Sequence, residues 1–256
     1  MEESVKEQLT KKLMSVTGRR LRAFLLAEKL NLFEKEEITD YLEHIVSLAL
    51  GSSHEALSVM FSFVDILEKV FEIEIAHDFY NKIQLLNTRD RILHLIINPP
   101  PPHKFLKKGE VHTTDIMMDY LPLGVKRSFA KKMDRILLRR MLLEKDPYVI
   151  KHLLSNPMIT EKELLKIASV RPTNAEVIRV IYLFDKWINL YAVKEAIVKN
   201  PYSPFRLALL MLFYMQKKEL VSIIEDNTLH PTIRDIAKEI MEKRKPDYSP
   251  HFNYDF

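Results

Sequence analysis

Two stretches, LLSNPMITEKELLKIA from Leu153 to Ala168 and IVKNPYSPFRLALLML from Ile197 to Leu212, turn the same corner 44 residues apart. Each runs an aliphatic pair into Asn-Pro and resumes an apolar helical pattern a few residues later. A residue before proline is pushed out of the right-handed helical region, and proline cannot continue a helix, so Asn156 and Asn200 are expected to end their helices. Restart signals follow at once. Thr160 with Glu163 has the spacing of a capping box, and Ser203-Pro204 pairs a good N-cap with proline at the first helical position.

The corner has looser copies in LIINPPPPHKFL at Asn98 and IIEDNTLHPTIRDIAKEIM at Asn227. Upstream, Val149 and Leu153 match Val193 and Ile197 at the same 44-residue offset. Recurrence of a helix stop and a helix start predicts repeated helical hairpins, each burying its apolar face against its neighbours, as in an α-solenoid. The spacings are unequal, so an irregular helical bundle is the alternative.

Working outward, apolar residues recur at helical spacing through most of the chain and only four glycines interrupt them, which makes the fold class all-α. Helices are expected over 34–50, 55–70, 76–86, 88–97, 115–120, 125–144, 147–155, 160–169, 173–184, 188–199, 204–215, 217–225 and 231–244. Gly51 stands where a left-handed C-terminal cap is wanted, and SSHE (Ser52 to Glu55) reads as a capping box. Asp146-Pro147 and Thr173 with Glu176 are further start signals. FEIEIAHDF (Phe71 to Phe79) alternates as a strand would, yet has no evident pairing partner. Four prolines, Pro99 to Pro102, bar any helix from crossing. They divide the chain into an N-terminal helical region (1–98), a connecting loop (99–114), C-terminal HEAT-like helical repeats (115–245) and a tail (246–256).

The segments YLPLGVKRSFAKK (Tyr120 to Lys132), DPYVIKHLLSNPMITEKELLKIASVRPTNAEVI (Asp146 to Ile178) and YAVKEAIVKNPYSPFRLAL (Tyr191 to Leu209) resemble an uncharacterised bacterial family with HEAT-like, or variant leucine-rich-like, helical repeats. The resemblance covers roughly residues 95–240, and RPTNAEV and KNPYSP are its most specific part. It implies an α-solenoid in a bacterial cytoplasm. No activity is carried over from the family.

Charge is unevenly spread. Residues 1–98 carry a balance of −4, residues 99–145 a balance of +6 and residues 146–256 a balance of +2. The basic excess centres on VKRSFAKKMDRILLRRMLLEK, with Lys126, Arg127, Lys131, Lys132, Arg135, Arg139 and Arg140 as the candidate binding surface. As one helix this segment would bury Phe129, Met133, Ile136, Leu137 and Met141 and turn most of its charges outward. Such a face suits nucleic-acid phosphates, as on some HEAT-like solenoids, or is simply solvated; exposed stacking aromatics are not evident from the sequence.

Cysteine is absent, which excludes disulfides, thiolate metal sites and a cysteine nucleophile. No Gly-rich phosphate loop, nucleophile elbow or H-E-x-x-H helix occurs. Glu74 and His77 have di-iron spacing but lack the companion motif such sites need, and His103, Glu110, His112 and Asp115 share one loop without a recognised zinc spacing. Neither a metal nor any other cofactor is expected, nor an enzyme. The amphipathic N-terminus lacks a signal-peptide core, and the longest apolar run (Leu207 to Met215) is too short to span a bilayer, so the expected location is cytoplasmic, with no membrane partner. Phe184, Trp187 and Tyr191 share a helical face that reads as core. The aromatic tail KRKPDYSPHFNYDF could dock as an extended peptide. The expected function is a non-enzymatic helical-repeat scaffold for protein–protein interaction; nucleic-acid binding through the basic helix is the alternative.

Overall fold

The computed structural model describes residues 1–70, 74–107 and 116–244, without the side chains of 74–77 and 116, and every regular element among them is an α-helix. The chain divides into two compact units. One is built on Met1–Pro100, with Gln216–Lys218 and Ile236 onward grouped to it; the other comprises Pro101–Met215 and Glu219–Asp235.

The first unit holds α1 (Glu3–Met14), α2 (Arg19–Asn31), α3 (Lys35–Leu50), α4 (His54–Leu67), α5 (Glu74–Gln84) and α6 (Arg91–Ile97). The strand-like alternation of FEIEIAHDF does not give a strand from Glu74 on, where α5 begins; residues 71–73 lie outside the described residues. Helix α4 packs against α1, α2, α3 and α5. Its sequence is apolar on nearly every side, the pattern of a helix surrounded by protein, and ten of its residues are buried. Asp65, fully buried among them, is held by two bonds from Arg19 in the first turn of α2: Nε to Oδ2 at 2.6 Å and Nη2 to Oδ1 at 2.5 Å.

The corner between α3 and α4 departs from expectation by one residue. Gly51 keeps an ordinary φ of −79°, and Ser52 takes the left-handed position at φ 66°. The Ser52 amide bonds to the Ala49 carbonyl and the Ser53 amide to that of Leu48, a Schellman closure with serine where glycine is favoured. Ser53, not Ser52, then caps α4, accepting from the Ala56 amide, and Glu55 receives the Ser53 hydroxyl rather than closing a capping box. The Ser52 hydroxyl is buried with no hydrogen-bond partner. Ser52→Gly should therefore raise stability by about 1 kcal/mol, by relieving the left-handed strain and removing that hydroxyl. Thermal melts of Ser52→Gly beside Gly51→Ala check this, since only the first position has a positive φ.

In the second unit the helices are α7 (Ile116–Asp119), α8 (Leu123–Ala130), α9 (Arg135–Arg140), α10 (Pro147–Leu154), α11 (Glu161–Ser169), α12 (Ala175–Tyr182), α13 (Asp185–Ile188), α14 (Tyr191–Lys199), α15 (Phe205–Leu212), α16 (Lys217–Glu225) and α17 (Pro231–Lys243), the last two shared with the first unit at Lys217–Lys218 and from Ile236. Most are too short to persist alone, so packing must hold them. Helix α8 lies against α10 and α10 against α12, while α11 lies against α14 and α14 against α15. The matched residues Val149, Leu153, Val193 and Ile197 are all buried.

The Asn-Pro corner does more than stop a helix. Asn156 is buried, and its Nδ2 donates at 2.9 Å to both the Ala130 and the Lys132 carbonyls while Oδ1 accepts from the Met158 amide. Asn200 repeats the pattern, donating to the Ala168 and Val170 carbonyls at 2.8 and 3.2 Å and accepting from the Tyr202 amide. Each asparagine thus closes its own turn and also caps the end of an earlier helix, α8 or α11.

The later corner sits on Asp226 rather than Asn227. Its Oδ1 accepts from the Thr228 amide, and α17 starts five residues after it, as α11 and α15 do after Asn156 and Asn200. Asn227 is exposed, and so is Asn98 at the end of α6. An aspartate has no Nδ2 to donate, and here Arg234 Nε reaches the Ile224 carbonyl at 3.0 Å.

Of the other start signals, two stand where expected and two shift by a residue. Asp146 caps α10 with Pro147 at its first position, and Thr160 with Glu163 closes a capping box. Asn174 caps α12 in place of Thr173, whose buried hydroxyl has no partner. Ser203 donates back to the Ile197 carbonyl, leaving Pro204 at the N-cap position.

Candidate interaction surface

The single basic helix expected over 125–144 is two helices. The carbonyls of Ala130 and Lys132 turn to Asn156, and Asp134 starts α9 by accepting from the Ile136 and Leu137 amides at 2.9 and 3.1 Å. The break resets the helical phase, which overturns the expected burial of Met133 and Ile136 but leaves Met141 buried and Phe129 and Leu137 half-buried. Ala130, Leu138, Met141 and Leu142 face the core, while Met133 and Ile136 are 67% and 74% exposed. Ile136 and Arg139 share a face of α9 at i and i+3, and the neighbouring segments add Met133 just before the helix and Leu143 just after it, the last 37% exposed.

The seven candidate cations do not act as one face. Lys126 is buried, its Nζ 2.8 Å from Glu144. Arg135 donates to the Met158 carbonyl at 2.8 Å and to Glu163 at 3.2 Å, and Arg140 is half-buried. Arg127 stacks 4.8 Å from the centroid of Tyr148, with Asp146 at 4.0 Å. Lys131, Lys132 and Arg139 are exposed, and Lys132 Nζ lies 4.8 Å over the Phe129 ring.

Sequence reasoning missed the exposed aromatic. Tyr148 is 63% exposed beside Arg127. Nearby, the His152 imidazole is held below the usual histidine range, first by burial and then by the charges of Lys131, Arg127 and Lys151. These cations therefore crowd together at the end of α8 and on α10. The signal for the break was legible: an aspartate immediately before an apolar run, Asp134-Arg135-Ile136-Leu137, is a helix start.

A small concavity lies over the Asn200 corner. His103, Asn200, Phe205, His230 and Ile233 line it, and its volume of about 20 Å³ admits roughly one water. The Lys104 amide pins the loop by bonding to the Pro201 carbonyl at 3.0 Å. The His230 ring meets His103 and Phe205 edge-on, with centroids 5.6 and 5.0 Å apart. His230 Nδ1 also caps α17, accepting from the Thr232 amide at 3.1 Å.

That bond requires an unprotonated Nδ1, and burial followed by the charge of His103 lowers the His230 pKa. A histidine whose folded pKa is depressed contributes stability that is complete above the unfolded value near 6.5 and is lost as pH falls through the folded value. His230→Asn keeps a good cap that cannot titrate. The melting temperature of this variant should fall less than that of the wild type between about pH 7 and pH 5.5, a range above most carboxylate titration.

Other side chains that suggest chemistry lead elsewhere. Lys194 is buried with its Nζ 4.1 Å over the Tyr214 ring, and burial draws its pKa down to about 8. Trp187 is core, donating from Nε1 to the Leu154 carbonyl, with Phe184 and Tyr191 half-buried. Among the described residues, no group of three or more His, Asp or Glu is placed to hold a metal ion, and no helix is long and apolar enough to cross a membrane. The side chains of Glu74 and His77, and all of Glu110, His112, Asp115 and the 246–256 tail, lie outside the described residues. Comparison of the chain with protein-family models, curated proteins and solved structures finds no match.

Proposed function

We propose that the protein is a non-enzymatic scaffold of stacked HEAT-like helical hairpins that binds another protein through the surface around α9. The observation that carries this reading is the exposure, within one short segment, of Met133, Ile136 and Leu143 together with Lys131, Lys132 and Arg139. Apolar side chains bounded by charge are the usual composition of a protein contact, and large exposed apolar side chains in one short segment call for an explanation that scattered ones do not. The serial packing of α8, α10 and α12 and the recurrent asparagine corner support the repeat architecture.

A photoreactive amino acid at position 136, introduced in the cells that make the protein, tests it. Discrete protein adducts, absent from the same probe at exposed Glu225 and reduced by Lys131→Glu with Arg139→Glu, are the expected result. Equal and diffuse labelling at the two positions would count against the scaffold.

Nucleic-acid binding is the second reading, favoured by the exposed Tyr148 stacked with Arg127 and by the neighbouring Lys131 and Lys151. A cation-flanked aromatic is what an unpaired base stacks on. It predicts binding to a single-stranded oligonucleotide that weakens steeply with salt and is lost in Tyr148→Ala with Lys151→Glu. An absence of binding at low salt removes this reading.

A further inference from the structure

We infer that the cations gathered at the end of α8 and on α10 form a binding site for the terminal phosphate of a nucleotide, with its base laid on Tyr148; this rests on the nucleic-acid reading above. Tyr148, Lys151 and His152 are neighbours at i, i+3 and i+4 on α10, and Arg127 and Lys131 come from the last turn and the C-cap of α8, the helix packed against it. Both helices end near these residues. The negative ends of their dipoles stabilise cations, which lets like charges gather with little help from carboxylates.

The donors of this cluster are open. Arg127 is pinned by stacking, its guanidinium 4.8 Å from the Tyr148 centroid, yet the guanidinium makes no hydrogen bond to a described residue and its buried Nε has no partner. Asp146, the carboxylate beside it, stands at 4.0 Å and is already engaged at Oδ1 by the Val149 amide. Lys131 and Lys151 are exposed and have no ion-pair partner among the described residues. A planar guanidinium held in place with its donors unused is suited to phosphate oxygens.

The cations meet at a point rather than along a track. Burial first, and then the charges of Lys131, Arg127 and Lys151, all bear on the one imidazole of His152. A strand bound along its length spreads its contacts over successive phosphates, each with a single charge. Three cations converging on one spot fit instead the nearly doubled charge of a phosphate monoester. Tyr148 remains 63% exposed although Arg127 covers one face of its ring, which leaves the other face for a base.

His152 is the reporter of this site. An anion held by these cations favours the imidazolium and so raises its pKa. In NMR titrations of the full chain, with ionic strength matched by chloride, about 10 mM adenosine monophosphate should raise the His152 pKa by about 1, and adenosine should leave it in place. Lys131→Glu with Lys151→Glu, both at exposed positions, should start from a higher His152 pKa and lose the response. Tyr148→Ala should weaken the nucleotide about 10-fold more than it weakens inorganic phosphate. No response to the nucleotide, or a response no larger than O-phosphoserine gives at the same concentration, would overturn the proposal; the second result would assign the phosphate to a phosphorylated protein.

A short oligothymidylate separates the two sources of such a nucleotide. Binding about 10-fold tighter with a terminal phosphate than with a terminal hydroxyl places the ligand at a strand end. Failure of both strands while adenosine monophosphate still moves His152 makes the ligand a free nucleotide and removes the nucleic-acid reading alone. Equal binding of both strands with His152 unmoved overturns the terminal-phosphate site and leaves that reading standing.

Discussion

Replacing Asn200 with alanine should destabilise the protein by about 3 kcal/mol and lower its melting temperature by roughly 6–12 °C, although the chain contains other asparagines at look-alike corners. The side chain is 2% exposed and makes three bonds, two of them to the Ala168 and Val170 carbonyls at the end of α11. Alanine leaves both carbonyls facing a cavity without a donor, and a buried polar group stripped of its partner costs about 1–3 kcal/mol. Asn200→Asp is the sharper variant. It keeps the acceptor for the Tyr202 amide but turns a carboxylate oxygen toward two carbonyls, so it should fare worse than alanine at neutral pH and recover in part when protonated. Asn156→Ala, which strands the Ala130 and Lys132 carbonyls, should match Asn200→Ala. Asn98→Ala and Asn227→Ala, at exposed positions, should stay within about 0.5 kcal/mol of wild type. Equal effects at all four sites, measured by thermal or urea unfolding, would show that the corner acts through local turn chemistry alone.

That contrast marks where sequence reasoning stops. Signals read from neighbouring residues were legible: the all-helical class from periodicity, the caps at Asp146-Pro147 and Thr160 with Glu163, and the helix stops at Asn156 and Asn200. Errors of one residue arose where two capping residues stand side by side, as at Ser52 and Ser53, Thr173 and Asn174, and Asp226 and Asn227. Local propensity is nearly degenerate between such neighbours, and tertiary packing chooses. The reach of Asn156 to carbonyls more than twenty residues earlier has no local signature at all. It accompanies a break in the basic segment whose local sign is the Asp134 cap. Because helical phase is set by where a helix starts, the restart at Asp134 leaves Met133 and Ile136 exposed and changes the reading of the surface.

The first unit offers a test of comparable size. Arg19→Met should destabilise it by about 3–5 kcal/mol, because Asp65, at a position with no solvent exposure, would lose the two charged bonds that Arg19 donates to it. Asp65→Leu should cost less than Arg19→Met, since Arg19 retains an 11% exposed side chain that can move toward water and already lies 4.7 Å over the Phe61 ring. The double variant Arg19→Met with Asp65→Leu should recover most of the loss. Two charges withdrawn from water are costly, and their mutual attraction offsets that cost only while both are present; an apolar pair of similar volume incurs no such desolvation. A double-mutant cycle in urea therefore separates two roles. Recovery in the double variant means that the pair is tolerated within an apolar helix cluster and chiefly selects which side of α2 meets α4. Additive losses, with no recovery, would mean that Arg19 and Asp65 stabilise the unit through separate contacts, and the bidentate geometry would then carry little of the energy.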